Sequence, residues 1–411
     1  MQSDFFTKLL NIQHYYVSAI ISFSDKEIHL CMKRNEDIKA ICSYCNHPHE
    51  KGYHSSNVII LRDLSISGRT VFLHICVETY RCSNCSNIVI EKISWRFIRA
   101  TKRFAEHVYR LTAITTNTEA GWFLGMDDEA VYRIDNSILK TLAEEKLDPI
   151  PSAIHMSVDE VSYKKYHRYL TNVIDTDRKL IIWNEKGRKK EILDQYYEGI
   201  GEENCKKIQS VAMDGARTYI SSTRKNAVNA LIVYDKFHVV QKLNNTVDTV
   251  RKTELQSARK QEDEEIIKLT NCKQRFILLK KKSNLTEKQS EILTRLCEIN
   301  KPIYNSMLLK ESFLEVYEAK NIEEAEKVLS NWISNVYNSK IQPFIELAKS
   351  FNDKKQYILN WFHKKISSSI SEGFNNKIKR LKRMAYGYRD INYFKLKIHQ
   401  HCGLLNPRLQ L

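Results

Sequence analysis

Three acidic side chains far apart in the chain, Asp159, Asp214 and Glu372, have the types and settings that divalent-cation chemistry needs. Asp159 lies in AIHMSVDE, where alternation groups His155, Ser157 and Asp159 on one face of a strand and Ile154, Met156 and Val158 on the other. Asp214 ends the apolar run IQSVAMD. Glu372 is the lone acid leading SSISEGFNNKIKRLKRMAYGYR, a stretch otherwise rich in cations. Carboxylates suit Mg2+ (or Mn2+), a hard cation that keeps waters and substrate phosphate in its remaining positions. Two such ions roughly 3.5–4 Å apart serve the attacking and leaving oxygens of a phosphodiester displacement. Structural or solvated acids are the competing reading. Glu160, Asp175, Asp177 and Asp235 compete for the same role, although Glu160 shares parity with the apolar residues of its strand and Asp175 and Asp177 fall in a turn.

The cysteines carry a second chemistry. Four of the ten form CxxC pairs, Cys42 with Cys45 and Cys82 with Cys85, and the other six are scattered singly. Two such turns, each presenting two thiolates, complete a tetrahedral Zn2+ shell when strands bring them together; unrelated buried thiols are the alternative. The 36-residue spacer between Cys45 and Cys82 exceeds compact finger spacing and leaves room for an inserted hairpin. His47, His49 and His54 are either substitute ligands or exposed loop histidines.

Periodicity places these residues on elements. Residues 1–40 show two-residue alternation and form an amino-terminal segment of short strands, followed by a zinc-ribbon-like domain over 41–98. In 99–148 the pattern becomes helical: Thr118–Leu124, a turn at Gly125, then Asp128 to about Glu144, with Ala120, Phe123, Val131, Ile134 and Ile138 as the apolar contacts. That spacing matches a helix-turn-helix with Glu129, Tyr132, Arg133 and Asn136 at the reading positions. The acidic start, Asp127 and Asp128, opposes phosphate, and a plain helical hairpin is the other reading.

Asp148-Pro149-Ile150-Pro151 is a stiff linker. Beyond it, strand-strand-strand-helix-strand-helix-strand-helix over 149–252 is the layout of an RNase H-like fold within an α/β chain. Between Gly215 and Gly373 no glycine occurs, so 253–351 is read as a large all-α insertion and 352–411 as the return of the catalytic domain. In the returning helix Ile370, Phe374, Ile378, Leu381 and Ala385 make an apolar stripe, with Glu372, Asn375, Asn376, Lys379 and Arg383 opposite. Such a helix serves the site only from the edge of the sheet, with its polar face over Asp159 and Asp214.

Over 411 residues, Lys+Arg 65 against Asp+Glu 49 gives a net charge of +16, which favours a polyanionic partner. Lys377, Lys379, Arg380, Lys382 and Arg383 are the candidate phosphate contacts. Trp332 and Trp361 either stack on an unpaired base or pack in a core. No apolar run reaches the ~18 residues of a membrane span and no secretion signal opens the chain, so a soluble, bacterial cytoplasmic setting is expected.

The blocks VDEVSYKK, HRYLTNVIDTD, VAMDGARTYI, VYDKFHVVQKLNN and EGFNNKIKRLKRMAYGYRD are similar to the catalytic blocks of the ISL-three family of bacterial insertion-sequence transposases. The resemblance implies a zinc-binding domain, a helix-turn-helix and a DDE transposase domain, with Asp159 and Asp214 as catalytic aspartates and Glu372 as the glutamate. It also implies a secondary role for Asp235 and His238, which match a D-x-x-H motif. The expected partners are double-stranded DNA, as terminal inverted repeats and as target, and further copies of the chain in a homodimer or larger synaptic assembly. A catalytically silent DNA-binding regulator and a two-metal nuclease that cleaves without joining are the alternatives.

Overall fold

The computed structural model describes residues 2–49, 55–164, 168–271, 275–280, 284–363 and 369–410. His54, Cys272 and Ser368 lie outside them. Mixed α/β structure divides into two compact units: residues 1–145 with 390–401 and 405–411, and residues 146–389 with 402–404.

The first unit begins with a helix that the alternation pattern did not announce, α1 (Gln2–Leu10). It continues with β1 (Tyr15–Phe23), β2 (Glu27–Arg34), β3 (Ala40–Ile41), β4 (Pro48–His49), β5 (Ser55–Ile66), β6 (Arg69–Arg81), β7 (Ile88–Ile90), β8 (Arg96–Phe97) and β9 (Ala100–Thr101). Seven of these strands share one sheet, so residues 1–40 and the cysteine-bearing segment are one structure rather than two. The long spacer between the cysteine pairs is filled by the β5–β6 hairpin. Leu61, Val71, Leu73 and Ile75 form its apolar face, which shares a core with Leu30 of β2 and with Phe6 and Leu10 of α1.

Three helices follow: α2 (Lys102–Thr112), α3 (Asn117–Leu124) and α4 (Asp128–Lys146). A capping box at Thr116 and Glu119 starts α3, and Gly125 ends it at φ 62°, where glycine carries no Cβ penalty. Ala120, Val131 and Ile134 are buried together, as the spacing predicts. Phe123 is not: it is 65% exposed beside Trp122 at 86%, because Leu124, one turn from Ala120, takes the inward position instead.

The helix Ile391–Cys402 binds into this first unit through α4, although its place in the sequence puts it with the catalytic domain. Asp135, fully buried, accepts from Tyr393 Oη at 2.6 Å, Thr112 Oγ1 at 2.6 Å and Lys397 Nζ at 3.1 Å. Burial pushes the Lys397 ammonium down, so this is an ion pair held by its hydrogen bonds rather than by solvent.

The second unit is built on a five-stranded sheet of β10 (His155–Lys164), β11 (Arg168–Asp175), β12 (Leu180–Lys186), β13 (Ser210–Met213) and β14 (Leu231–Tyr234), in the order β12-β11-β10-β13-β14. The first three strands form the antiparallel meander expected; β13 and β14 run parallel to β10. The crossovers are α5 (Lys190–Ile200) with α6 (Glu202–Lys207), and α7 (Arg217–Asn226). Met156, Val158, Val211, Met213 and Ile232 meet Leu193, Tyr197 and Ile220 of these helices in one core.

A helical region follows: α8 (Lys236–Gln261), α9 (Glu264–Thr270), α10 (Arg275–Leu279), α11 (Glu287–Ile299), α12 (Lys301–Leu314), α13 (Ile322–Ser339), α14 (Gln342–Asn352) and α15 (Lys355–Leu359). It has its own core, including Phe313, Trp332, Phe344 and Phe351. The boundary read at 252/253 therefore falls inside α8, which runs unbroken from the end of the sheet. Trp332 is a core residue whose Nε1 donates to Leu309 O at 2.7 Å, and Trp361 packs edge-on to Tyr317. The chain then returns in α16 (Ser369–Met384).

Candidate active site and thiol cluster

Strand register gathers the acids. β10 pairs with β13 as Ser157 with Ala212, and β13 pairs with β14 as Met213 with Tyr234. Carried on to the next residues, that register sets Asp159, Asp214 and Asp235 side by side at the carboxyl ends of β13 and β14. Neighbouring strands lie about 4.8 Å apart, so Asp159 and Asp235 each stand one strand away from Asp214. All three share the parity of Ser157, Ala212 and Val233, the face turned away from the α5–α7 core.

α16 delivers the fourth acid. Phe374, Ile378 and Leu381 are buried as the stripe predicts, while Ala385 falls beyond the helix end. The contact with the sheet is polar: Ser371 Oγ hydrogen-bonds Ser157 Oγ at 2.8 Å, Asn375 Nδ2 donates to Asp159 Oδ2 at 2.7 Å, and Lys382 Nζ donates to Ser162 O at 3.3 Å. Ser371, Asn375 and Lys382 stand four and seven residues apart, so one face of α16 lies along β10. Glu372, next to that seam, is solvent-exposed and lines the same cleft as Asp159 and Asp214. The cleft holds about 360 Å3 and is also lined by Glu160, Tyr169, Asp235, Phe237, His238, Gln241, Ser371, Asn375, Asn376 and Lys379.

Four of the cleft acids have protein partners. Glu160, set aside by strand parity, lies in the cleft with Arg188 at 3.8 Å; burial and then the charge of Asp214 raise its carboxyl above the usual range. His238 Nε2 is 3.7 Å from Asp159 Oδ1. Burial pulls this imidazole down, but the adjacent Asp159 carboxylate and the charges of Asp235 and Asp214 outweigh that and raise it. Asp235 also caps α8, accepting from Phe237 N at 2.8 Å, and Asp214 accepts from Ala216 N at 2.9 Å. Asp175 is a structural acid. Its Oδ1 accepts from the backbone N–H groups of Asp177 and Arg178, and its Oδ2 from Arg178 Nε at 2.6 Å, which closes the β11–β12 turn. Among the described residues the cysteines form the one group of three or more potential ligands whose donor atoms all lie within 4.8 Å of one another, so the acids line one cleft without converging on a single point, and Asn375 orients Asp159.

Gly215 permits the turn that follows Asp214. Its φ is +76°, and a Cβ there would stand 2.9 Å from the Tyr234 ring. Gly215→Ala is expected to cost about 1–3 kcal/mol of unfolding free energy, measured by urea denaturation, because a non-glycine residue is strained in that region.

Asn375→Ala frees one oxygen of Asp159 without removing an acid. The expected outcome is a 10–100-fold loss in divalent-cation affinity or turnover, the usual effect of losing a partner that orients a ligand. A cation titration of activity reads it directly.

In the first unit the four cysteine sulfurs stand together. Cys42 Sγ is 3.9 Å from Cys85 Sγ and Cys45 Sγ is 3.5 Å from Cys82 Sγ, and all four sulfurs lie within 4.8 Å of one another. A tetrahedral Zn–S shell with ~2.3 Å bonds needs sulfurs about 3.8 Å apart, so the group fits a metal ion. Each pair is a matching turn: Cys42 N donates to His47 O and Asn46 N to Cys42 O, as Cys82 N does to Asn87 O and Ser86 N to Cys82 O. Asn46 and Ser86 take left-handed conformations, with φ 58° and 60°. The Cys45 thiol is brought down to about 6, first by the Asn84 side chain and then by the His47 backbone. His47 contributes a carbonyl, and His49 stacks on Tyr80 at 4.4 Å; neither joins the sulfur group.

On α4, Tyr132 and Asn136 are half-buried: Tyr132 Oη donates to Asp390 Oδ2 at 3.0 Å, and Asn136 Nδ2 donates to Tyr132 Oη at 3.3 Å. Arg133 is exposed beside Glu129 at 3.4 Å. The cations of α16 are exposed except Lys382, which is half-buried. No described helix is long and apolar enough to cross a membrane.

A family model described as Transposase, of the ISL-three type, matches residues 156–398. The transposase for insertion sequence element IS1001 of Bordetella parapertussis is 29% identical over 350 residues, covering 84% of this chain and 84% of that protein. The transposase for insertion sequence element IS1557 of Mycobacterium tuberculosis is 29% identical over 266 residues, 60% of this chain and 59% of that protein. The matched span contains every acid of the cleft, and the chain belongs to the ISL-three family of insertion-sequence transposases.

Proposed function

We propose that this transposase has an RNase H-like catalytic domain interrupted by an all-α insertion, and that it cuts DNA at the ends of its element and joins those ends to target DNA. One observation carries the reading: Asp159, Asp214 and Glu372, from a central strand, a strand end and a late helix, line one cleft. Clustered carboxylates with a raised Glu160 and a single imidazole beside Asp159 suit Mg2+ or Mn2+, which when bound supplies Lewis-acid stabilisation of phosphoryl charge. Asp159, Asp214 and Glu372 would hold it. Asn375 would orient Asp159, and Lys379 on the cleft wall would meet the substrate phosphate. Asp235 and His238 take a secondary role, shaping the cleft floor and balancing the charge of Asp159.

Cys42, Cys45, Cys82 and Cys85 would hold zinc in a ribbon-like fold, and α3 with α4 would act as the helix-turn-helix. Arg133 is the reading position most open to a base; Tyr132 and Asn136 reach DNA only on leaving Asp390. Lys377, Lys379, Arg380, Lys382 and Arg383 supply backbone contacts whose strength falls with salt. The setting is the bacterial cytoplasm, and two element ends call for a dimer or larger assembly. The test is incubation of full-length protein and Mg2+ with labelled element-end DNA and a target plasmid. Joined products are expected; binding without cleavage would favour a silent regulator, and cleavage without joining a nuclease.

A further inference from the structure

Beside α7 lies a second cleft of about 570 Å3 with the opposite charge. Arg217, Ser221 and Arg224 come four and three residues apart and share one face of α7; Asp353, Lys354 and Tyr357 stand across from them. Arg224 is held by its guanidinium carbon 5.4 Å from the centre of the Tyr357 ring. The Lys354 ammonium is 5.6 Å from the centre of the Tyr234 ring, and the Lys242 ammonium 5.3 Å from the same ring.

These cations are collected, not neutralised. Lys355 next to them pairs with Glu326 at 2.8 Å, whereas among the described residues no carboxylate stands within ion-pair distance of Arg217, Arg224, Lys354 or Lys242. Burial lowers the Lys354 ammonium, repulsion from Lys242 and Arg217 lowers it further, and Asp214 and Asp353 only partly oppose this. Cations drawn together against their repulsion suit an anion that arrives from outside, and guanidinium forks match phosphate oxygens in geometry.

The cleft also has a direction. Arg224 to Arg217 spans ~10 Å along α7, and Arg217 follows Asp214 by three residues. A chain of phosphates seated on this face is led toward the carboxylates.

We propose that the α7 cleft is a phosphate-binding track for the backbone of a DNA strand entering the carboxylate cleft. Its destination rests on the transferase reading above; its ligand chemistry does not. Full-length protein carrying Arg224→Ala and Lys354→Ala together should bind a duplex oligonucleotide with a salt dependence shallower by about 2, one for each lost phosphate contact, as read by fluorescence anisotropy across a salt series. Arg224→Lys with Lys354→Arg should restore the slope, and Lys288→Ala, on the exposed surface of α11, should leave it unchanged. Thermal melting confirms that each variant is folded.

An unchanged slope in the folded double alanine variant overturns the track. Inorganic phosphate is the second probe: if it raises the melting temperature of wild type but not of the double variant, while the DNA slope is the same in both, the cleft takes free phosphate and the backbone assignment falls. A shallower slope in a wild-type background that shows no cleavage with Mg2+ supports the track while removing the transferase reading. The same slope change should appear when Arg224→Ala and Lys354→Ala are added to Asp214→Ala, where catalysis is absent by design.

Discussion

Alanine at Asp159, Asp214 or Glu372 should lower cleavage of element-end DNA by at least ~10³-fold while leaving binding of that DNA within a few-fold of wild type. The size follows from the chemistry: a ligand to a catalytic cation supports several kcal/mol of charge stabilisation, and each ~1.4 kcal/mol is tenfold in rate. The three variants should differ in stability even though they agree in activity. Asp159 is buried and accepts from Asn375, so Asp159→Ala leaves a half-buried amide without that partner and should destabilise the fold modestly. Asp214 faces Glu160, whose carboxyl it helps to raise, so Asp214→Ala relieves repulsion and should be neutral or stabilising in cation-free buffer. Glu372 is exposed and its loss should not move the melting temperature. Paired cleavage assays and thermal melts separate these outcomes; an Asp159→Ala protein that still joins ends removes the proposed assignment.

Removing the zinc proposed for the cysteine group should have the second large effect, and a local one. The β5–β6 hairpin has its own apolar face on α1, so it does not need the metal. The two knuckles are short turns and β3 and β4 are two residues each, so besides the sulfur group residues 40–49 are tied to 82–92 only by local contacts such as the Cys42–Glu91 bridge, Lys92 N donating to Ile41 O at 2.8 Å and Lys92 Nζ donating to Asn46 Oδ1 at 2.8 Å. Chelation, or Cys42→Ser, should cut amide-exchange protection in those segments by at least ~10³-fold, equivalent to ~4 kcal/mol and well within the ~10–16 kcal/mol apparent binding energy of structural zinc. Protection in β2 and β6 should persist. Knuckles that remain protected after the metal is gone would show that the thiols are packing residues.

Much of the site was legible because local alternation and register agree. His155, Ser157 and Asp159 were separable from Met156 and Val158 by parity alone, and parity is what turns Asp159 away from the helical core. The apolar stripe of α16 likewise fixed which side of that helix is buried. The polar seam was only half visible: the wheel grouped Asn375 with Glu372, but its partner Asp159 lies too far away in sequence for any local pattern to reveal. Glu160 was set aside because parity governs a strand's flat middle, whereas at the end of the sheet both faces open on the same cleft. Long-range polar contacts account for the other differences. Asp390 takes Tyr132, and Asp135 takes Lys397 and Tyr393, which binds the carboxy-terminal helix to the first unit and occupies two positions that the spacing had offered to DNA. The exposed Phe123 is a matter of one residue on a helical wheel, with Leu124 the better match to Ala120.

That Asp159, Asp214 and Glu372 together hold the catalytic cation is tested most directly by anomalous scattering from crystals of the full-length protein soaked in Mn2+. The expected result is a peak in the carboxylate cleft within about 2.0–2.6 Å of oxygens from Asp159 and Asp214, the range for hard divalent cations, with Glu372 turned toward it, and loss of that peak in Asp214→Ala. A cleft without manganese in the wild-type crystal, or a peak that persists unchanged in Asp214→Ala, would contradict it.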